Sequence, residues 1–265
     1  MTLRVLITGS GGIVGRHVVR AFQDTVPDAE ILRNTADLTD LAATTRFVED
    51  AGWIDLVLHL AALVPVAEVQ ANPARAYCVN VGGTVNLLSA LADTAARVLL
   101  VSSSHVYASK AEPIVESDPT VPVSLYGQTK LMAEQAATQI CEATGRSLCL
   151  ARLFSIHDPR QTGSYLRPTL ERRFAEMRPD TPFELFGAGS LRDFLPAQDA
   201  ARLLVKLALT GAEGAVNVAS GTAITVADFA RSLAPVPLDI RPKGQDDILK
   251  ADVTRLRAIL GENNA

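Results

Sequence analysis

The order of apolar runs along the chain predicts an α/β fold: a doubly wound parallel sheet with a small, discontinuous C-terminal lobe. Three observations carry that expectation. Short strand-like runs alternate with stretches of helical period from Arg4 to Arg152. A glycine-rich turn, Thr8 to Gly15, follows the first run at once and opens a helical stretch. The run Leu56-Val57-Leu58-His59-Leu60 is apolar without clean alternation, the pattern of a strand covered on both faces.

Taken in order, Leu3-Arg4-Val5-Leu6-Ile7 is rich in β-branched residues, and a strand is expected over Arg4–Thr8. Further strands are expected at Glu30–Arg33, Leu56–Leu60, Val98–Ser102, Ser147–Arg152 and Gly214–Val218. Helices fit between them near Gly12–Phe22, Leu41–Ala51, Pro73–Ala92, Tyr126–Thr144 and Ala197–Leu209. Beyond Phe154 the texture changes: residues 155–193 carry many Pro, Gly and Arg and little period, which suits short elements around a ligand. The expected organisation is a dinucleotide-binding unit over 1–153, with 197–218 returning to it, and a small substrate-facing lobe from 154–196 and 219–265. In such sheets ligands sit beyond the carboxyl ends of the strands, so Thr8–Gly12, Ala61–Val64, Ser102–Ser104 and the segment after Arg152 are expected to face one crevice.

Composition narrows the function classes. At 265 residues and 48% hydrophobic content, the chain is long enough for one large core or one core and a satellite. A net charge of −4 gives no general basic footprint, which argues against nucleic acid or an anionic membrane surface as the main partner. Cys78, Cys141 and Cys149 are odd in number and widely spaced, as expected of buried core thiols in a reducing compartment. No signal peptide or spanning apolar run is evident, and a soluble cytoplasmic protein is expected. Four histidines without ligand spacing offer no metal site.

Two motifs carry chemistry. Without Cβ atoms at Gly9, Gly12 and Gly15 the backbone can turn tightly and approach a pyrophosphate, while the helix N-terminus, with Ile13 and Val14, presents free N–H groups to the anion. Downstream of Ser102-Ser103-Ser104, Tyr126 and Lys130 stand at i, i+4 on one helix face. There an ammonium can pull the phenol's pKa down toward working pH and make it a general acid/base. At the end of the second strand, 18 positions after Gly15, stands Arg33 rather than an acidic residue. An arginine there pairs with a 2′-phosphate, so NADP(H) is favoured; an Arg33 pointing into solvent would leave NAD as the alternative.

These pieces resemble the extended short-chain dehydrogenase/reductase family, in its branch of nucleotide-sugar epimerases, dehydratases and 4-ketoreductases. The resemblance rests on Thr8 through Gly15, Asp37-Leu38-Thr39-Asp40, His59-Leu60-Ala61-Ala62, Asn80 through Leu88, Ser102 through Tyr107, Tyr126-Gly127-Gln128-Thr129-Lys130, Arg152-Leu153-Phe154 and Leu191-Arg192-Asp193-Phe194. It implies a Rossmann-type sheet. By the same resemblance Ser103 hydrogen-bonds the reacting oxygen, Tyr126 is proton donor or acceptor, and Lys130 grips the nicotinamide ribose. Asp37 and Leu38 contact the adenine, Ala61 and Ala62 wall the cofactor, and Asn80 is the buried asparagine near it. Read from residue type alone, Ser102, Ser104 and Asn80 equally fit backbone hydrogen-bonding roles.

The expected reaction is reduction of a keto group on a nucleotide-linked sugar, with epimerisation on a retained NAD as the alternative. Ser104 and His105 stand where dehydratases place Asp and Glu, which disfavours dehydration. His105 either positions the sugar or bonds a loop carbonyl. Arg192 and Arg241 are candidate pyrophosphate ligands, with Lys243 and Arg167 behind them. The family pattern is broken at Ala108, at Ser155, at His157-Asp158-Pro159 and at Leu195-Pro196. Those departures leave room for a free-sugar enzyme or a non-catalytic NADP(H) sensor. A homodimer is expected through the Tyr126 helix, with Leu131, Met132, Ala133, Ala136, Ala137 and Ile140 either at that interface or in the core.

Overall fold

The first strand, β1 (Arg4–Thr8), is buried from Val5 to Thr8, and the chain leaves it through the glycine turn into α1 (Ile13–Thr25). The computed structural model describes residues 2–178 and 181–262. There follow β2 (Glu30–Arg33), α2 (Leu41–Ala51), β3 (Leu56–His59), α3 (Val66–Ala71), α4 (Pro73–Tyr77) and, after a π-helical turn at Cys78–Gly82, α5 (Gly83–Ala90). Then come β4 (Arg97–Ser103), a 3₁₀ turn at Ser104–Val106, α6 (Leu125–Thr144) and β5 (Leu148–Leu153). Helix boundaries follow local chemistry. Asp40 caps α2 by accepting from the Ala43 N–H, Ser124 caps α6 by accepting from the Gly127 N–H, and Gly145, with φ +65°, ends α6 in the left-handed conformation.

The remaining elements are β6 (Ile156–His157), α7 (Leu166–Ala175), β7 (Phe183–Phe186), β8 (Leu191–Arg192), β9 (Leu195–Pro196), α8 (Ala197–Thr210) and β10 (Gly214–Val218). The chain ends with β11 (Ile224–Thr225), α9 (Val226–Leu233), β12 (Ile240–Lys243), β13 (Ile248–Leu249) and α10 (Thr254–Leu260). Six strands form one parallel sheet in the order β10-β5-β4-β3-β1-β2. Helices cover both faces. One face buries Val18, Phe22, Leu204 and Val205 of α1 and α8 against Val5, Ile7 and Leu58; the other buries Val48, Leu87, Leu88 and Ala137 of α2, α5 and α6 against Leu6, Val57 and Leu100. Such close-packed apolar layers are the main favourable term holding the sheet. A separate cluster, Leu170, Phe174, Phe183, Leu185 and Phe229, packs the short elements after β6.

The chain passes from β1 to β2 on one side and then crosses to β3 on the other, so the strand order reverses between β1 and β3. That is the crevice at which ligands bind in open sheets. The turn after β1 meets the end of β3 there: a Cβ on Gly9 would lie 2.7 Å from the Ala61 nitrogen.

The structure departs from expectation at the stretch Pro73–Ala92. It is helical throughout Pro73–Ala90, but a π-helical turn within it at Cys78–Gly82 inserts an extra residue and holds Asn80 inward, 1% exposed. On that same turn Cys78 faces out and is exposed, so of the three thiols expected in the core only Cys141 and Cys149 are buried. Other expected elements differ only at their ends, as at β3, which stops at His59. Of the residues considered for a dimer contact, Leu131, Ala133 and Ala137 are buried in the core, while Met132, Ala136 and Ile140 are half-buried. Among the described residues no helix is long and apolar enough to cross a membrane.

Glycine positions give a direct packing test. A Cβ on Gly127 would overlap the His105 carbonyl oxygen and come within 3.0 Å of Pro122 Cβ, whereas one on Gly11 would meet nothing within 4 Å. Gly127→Ala is expected to destabilise the fold by about 1–3 kcal/mol in urea unfolding, while Gly11→Ala stays within about 0.5 kcal/mol of wild type.

Candidate active site

Four strand ends converge at the crevice. Below it lies the turn after β1, in which the Gly12 N–H donates to the Gly9 carbonyl at 3.0 Å and Gly9 takes φ +67°. A Cβ on Gly15 would overlap that same carbonyl, so both glycines are demanded by the turn itself. Gly12 is the N-cap of α1 and supplies no side-chain cap, which leaves the first-turn N–H groups at Ile13 and Val14 open to an anion. At the end of β2, Arg33 is exposed and enters no ion pair among the described residues, and the buried Asn34 Oδ1 has no hydrogen-bond partner. Asp37 folds its carboxylate onto the Thr39 N–H and hydroxyl at 2.9 and 2.8 Å, which holds it below the usual carboxylate range. Leu38 is buried beneath Gly83.

Ser103 at the end of β4 and Tyr126 and Lys130 on α6 form the second part. All three are buried, at 6%, 7% and 4% exposure, and Ser104 beside them at 2%. Ser103 Oγ accepts from the His105 N–H at 3.2 Å, leaving its own proton free to donate. The His105 ring meets the Tyr126 ring edge-on, with centroids 5.6 Å apart. Lys130 Nζ makes no hydrogen bond or ion pair within the described residues.

The expected fall in the Tyr126 pKa is not what the protein shows. Burial pushes the phenol up to about 12, and the nearby Ser103 hydroxyl offsets only part of that rise. Burial likewise lowers Lys130 to about 8, against the pull of Glu134 one turn on. Spacing put the two groups on one face, but desolvation decides the sign, and it favours the neutral form of each. His105 is lowered by burial first and by Arg192 second, with Asp247 opposing.

A buried polar chain beneath these groups was not anticipated beyond Asn80. The Asn80 amide accepts from the Leu63 N–H at 2.7 Å and donates to the Leu63 carbonyl and to Thr129 Oγ1, both at 3.0 Å; Thr129 in turn donates to the Tyr126 carbonyl at 2.8 Å. The Asn80 carbonyl accepts from Thr84 Oγ1, which must therefore receive from His59 Nε2 at 3.0 Å. His59 Nδ1 then accepts from Thr8 Oγ1 at 2.6 Å, and that hydroxyl accepts from the Ala61 N–H. The local signal was available: Thr8, His59 and Thr84 are polar residues set in otherwise apolar runs. Behind α6, Arg152 makes a two-pronged bond to Glu134 and donates to Tyr107 Oη at 2.8 Å; Tyr107 donates to Asn217.

The structure brings Arg192 to the edge of this cluster but not as a free cation. Its guanidinium grips the Asp247 carboxylate at 2.6 and 2.7 Å. Arg241 is exposed on β12, paired with β7, and makes no hydrogen bond or ion pair with the other candidates. Lys243 pairs with Glu184, and Arg167 with Glu171 and His157.

A model of the NAD dependent epimerase/dehydratase family matches residues 5–219. The chain belongs to that family. Its relatives include nucleotide-sugar reductases and epimerases. The GDP-6-deoxy-D-mannose reductase of Pseudomonas aeruginosa is 31% identical over 89% of this chain and 81% of its own length. A UDP-glucose 4-epimerase of Lactobacillus helveticus is 26% identical over 98% of this chain and 91% of its own. Among solved structures, RMD from Pseudomonas aeruginosa complexed with NADPH superposes with a TM-score of 0.87 at 27% identity, over 98% of this chain and 93% of that one. The family is one of NAD(P)-dependent enzymes with a Rossmann-like sheet, and the observed strand arrangement agrees with it. The residues present fit a dinucleotide: an uncapped helix N-terminus behind a turn that only glycine can make, a buried Asn34 Oδ1 and a buried Lys130, each without a hydrogen-bond partner among the described residues.

The neutral His59 gives a pH test. Burial lowers it from 6.5 to about 3, so below about 6.5 the unfolded chain takes up the proton first and stability falls as pH drops toward 3. Between pH 7 and pH 4.5 wild type is expected to lose roughly 2–3 kcal/mol more than His59→Gln in urea unfolding.

Proposed function

We propose that this protein is an NADP(H)-dependent oxidoreductase that reduces the keto group of a nucleotide-linked 4-keto-6-deoxy sugar, with Tyr126 as proton donor. The observation that carries the reading is geometric: Ser103 at the end of β4 and Tyr126 and Lys130 on one face of α6 are buried together, and the end of β1 beside them opens through a glycine-only turn into an uncapped helix N-terminus.

In this reading Gly9, Gly12, Ile13, Val14 and Gly15 hold the pyrophosphate, Arg33 the 2′-phosphate, and Asp37 and Leu38 the adenine. Ala61 and Ala62 wall the cofactor, and Asn80 acts by anchoring that wall and α6 rather than by touching it. When bound, the reduced nicotinamide supplies a hydride to the carbonyl carbon. The negative charge that develops on the substrate oxygen is met by two groups set in advance. Ser103 Oγ, already accepting from His105, donates a hydrogen bond to it, and Tyr126 Oη passes it a proton. Lys130 Nζ, without a partner among the described residues, would bind the ribose hydroxyls and, when charged, lower the cost of the phenolate left behind. Ser104, His105, Arg192 and Arg241 are assigned to the substrate side.

Arg33 supports NADP(H), and with it exchange of spent cofactor rather than the tightly retained NAD of an epimerase. Free thiols at Cys78, Cys141 and Cys149 accord with a cytoplasmic setting, and the half-buried Met132, Ala136 and Ile140 on α6 with a homodimer.

NADPH oxidation with a nucleotide-linked 4-keto sugar tests the reading. Tyr126→Phe is expected to lower turnover by about a hundredfold or more with NADPH affinity nearly unchanged; near-normal turnover removes Tyr126 from the chemistry. Arg33→Ala is expected to weaken NADPH roughly ten- to a hundredfold and leave NADH alone. Purification with stoichiometric bound NAD, and interconversion of C4 epimers without added cofactor, would replace the reductase by the epimerase.

A further inference from the structure

The cation best placed to meet a diphosphate is already occupied by an anion of the chain itself. Arg192 Nη2 contacts both oxygens of Asp247, and Nη1 donates to the carbonyls of Leu191 and Asp247 at 2.9 and 3.1 Å. Nη2 is thus directed wholly at the Asp247 carboxylate, while Nη1 is held by main-chain carbonyls. The pair is uneven in its exposure: the arginine side chain is 17% exposed and the carboxylate 46%. A half-exposed carboxylate keeps much of its water, so its attraction to the guanidinium is worth little net and is open to competition.

The backbone at Asp247 is held much more firmly than its carboxylate. The Asp247 N–H donates to Ser190 Oγ at 3.1 Å, its carbonyl accepts from the Leu191 N–H at 3.0 Å, and β13, which it precedes, pairs in parallel with β8. Next to it the Ile248 N–H donates to Ser109 Oγ at 2.8 Å, and Asp246 accepts from the Gly189 N–H at 2.9 Å. The segment is a strap joining the turn before β8 to the loop that carries His105. Freeing Nη2 therefore asks only for rotation of the Asp247 side chain, with the strap and the main-chain bonds of Nη1 left in place.

We propose that Asp247 is a specificity-determining residue that occupies the Arg192 fork until a diphosphate displaces it. This rests on the nucleotide-sugar reading above and deepens it. Arg192 presents a planar fork that suits phosphate oxygens as well as carboxylate oxygens, and a diphosphate brings more charge and more acceptors than one aspartate. A neutral ligand gains nothing from the exchange, while a weakly charged one leaves the pair intact. The carboxylate thus raises the threshold for binding at this edge of the site and favours diphosphates over monoanions.

The test uses the full chain saturated with NADPH, so that the glycine turn is filled, and measures dissociation constants of inorganic pyrophosphate and of UDP, GDP and dTDP. Asp247→Asn is expected to bind pyrophosphate and at least one nucleoside diphosphate about three- to tenfold more tightly than wild type. In an Arg192→Gln background the same change should bring no gain. Unchanged or weaker pyrophosphate binding in Asp247→Asn overturns the exchange, as does a gain that persists without Arg192. Asp247→Ser provides the same comparison if the asparagine variant fails to fold. A gain for pyrophosphate with no nucleoside diphosphate bound keeps the exchange and removes the nucleotide-sugar reading. Nucleoside diphosphate binding that ignores Asp247 keeps that reading and removes the exchange, and binding of neither probe to any variant removes both.

Discussion

The Asn80 amide is the contact on which the rest of the site depends. It spends both ends of one side chain on two segments that no sheet ladder joins: the backbone of the loop leaving β3, at Leu63, and the Thr129 hydroxyl in the first turns of α6. Buried at 1% exposure, it has no water to fall back on, so the amide is costly to leave unpaired and its geometry is narrowly defined. The π-helical turn around Asn80 is what turns the side chain inward. From that anchor the polar chain runs through Thr84, His59 and Thr8 to the end of β1. The glycine turn after β1 and the first turns of α6 are therefore positioned by one connected set of hydrogen bonds beneath the crevice.

Burial sets the charges of the cluster. It keeps His59 neutral, raises the Tyr126 phenol and lowers Lys130 to about 8. Charge at Lys130 and on the Tyr126 oxygen is costly in this environment unless a partner is present.

Much of this was legible in the chain because it is written locally. The alternation of runs located the six sheet strands, and the glycines at 9, 12 and 15 and the pair at 126 and 130 located both halves of the site. What escaped depends on contacts between distant residues. The π-helical turn within Pro73–Ala92 hides because it spans only five residues, too few to show a change of period, although Gly82-Gly83 marks its end. The sign of the Tyr126 shift follows from desolvation, which no spacing reports. Arg192 was visible as a cation but not as half of a pair, since Asp247 lies 55 positions away with no pattern linking the two. Within the lobe expected after Phe154, the individual strands escaped because two-residue strands such as β8, β9, β11 and β13 are too short to show a period.

The buried lattice behind α6 bears on how the molecule assembles. Glu134 on the helix holds Arg152 of β5, Arg152 holds Tyr107, and Tyr107 holds Asn217 of β10. Asn217 reaches on to the carbonyls of Ile114 and Asp252, beside the bridge between Ile114 and Ala251. Five segments far apart in sequence thus close around one cation that is deeply shielded from water. The stretch near Asp252 supplies the lattice with its farthest acceptor in sequence. Closing such a network asks for loop closure over long stretches of chain, a cost that contacts between near neighbours do not carry.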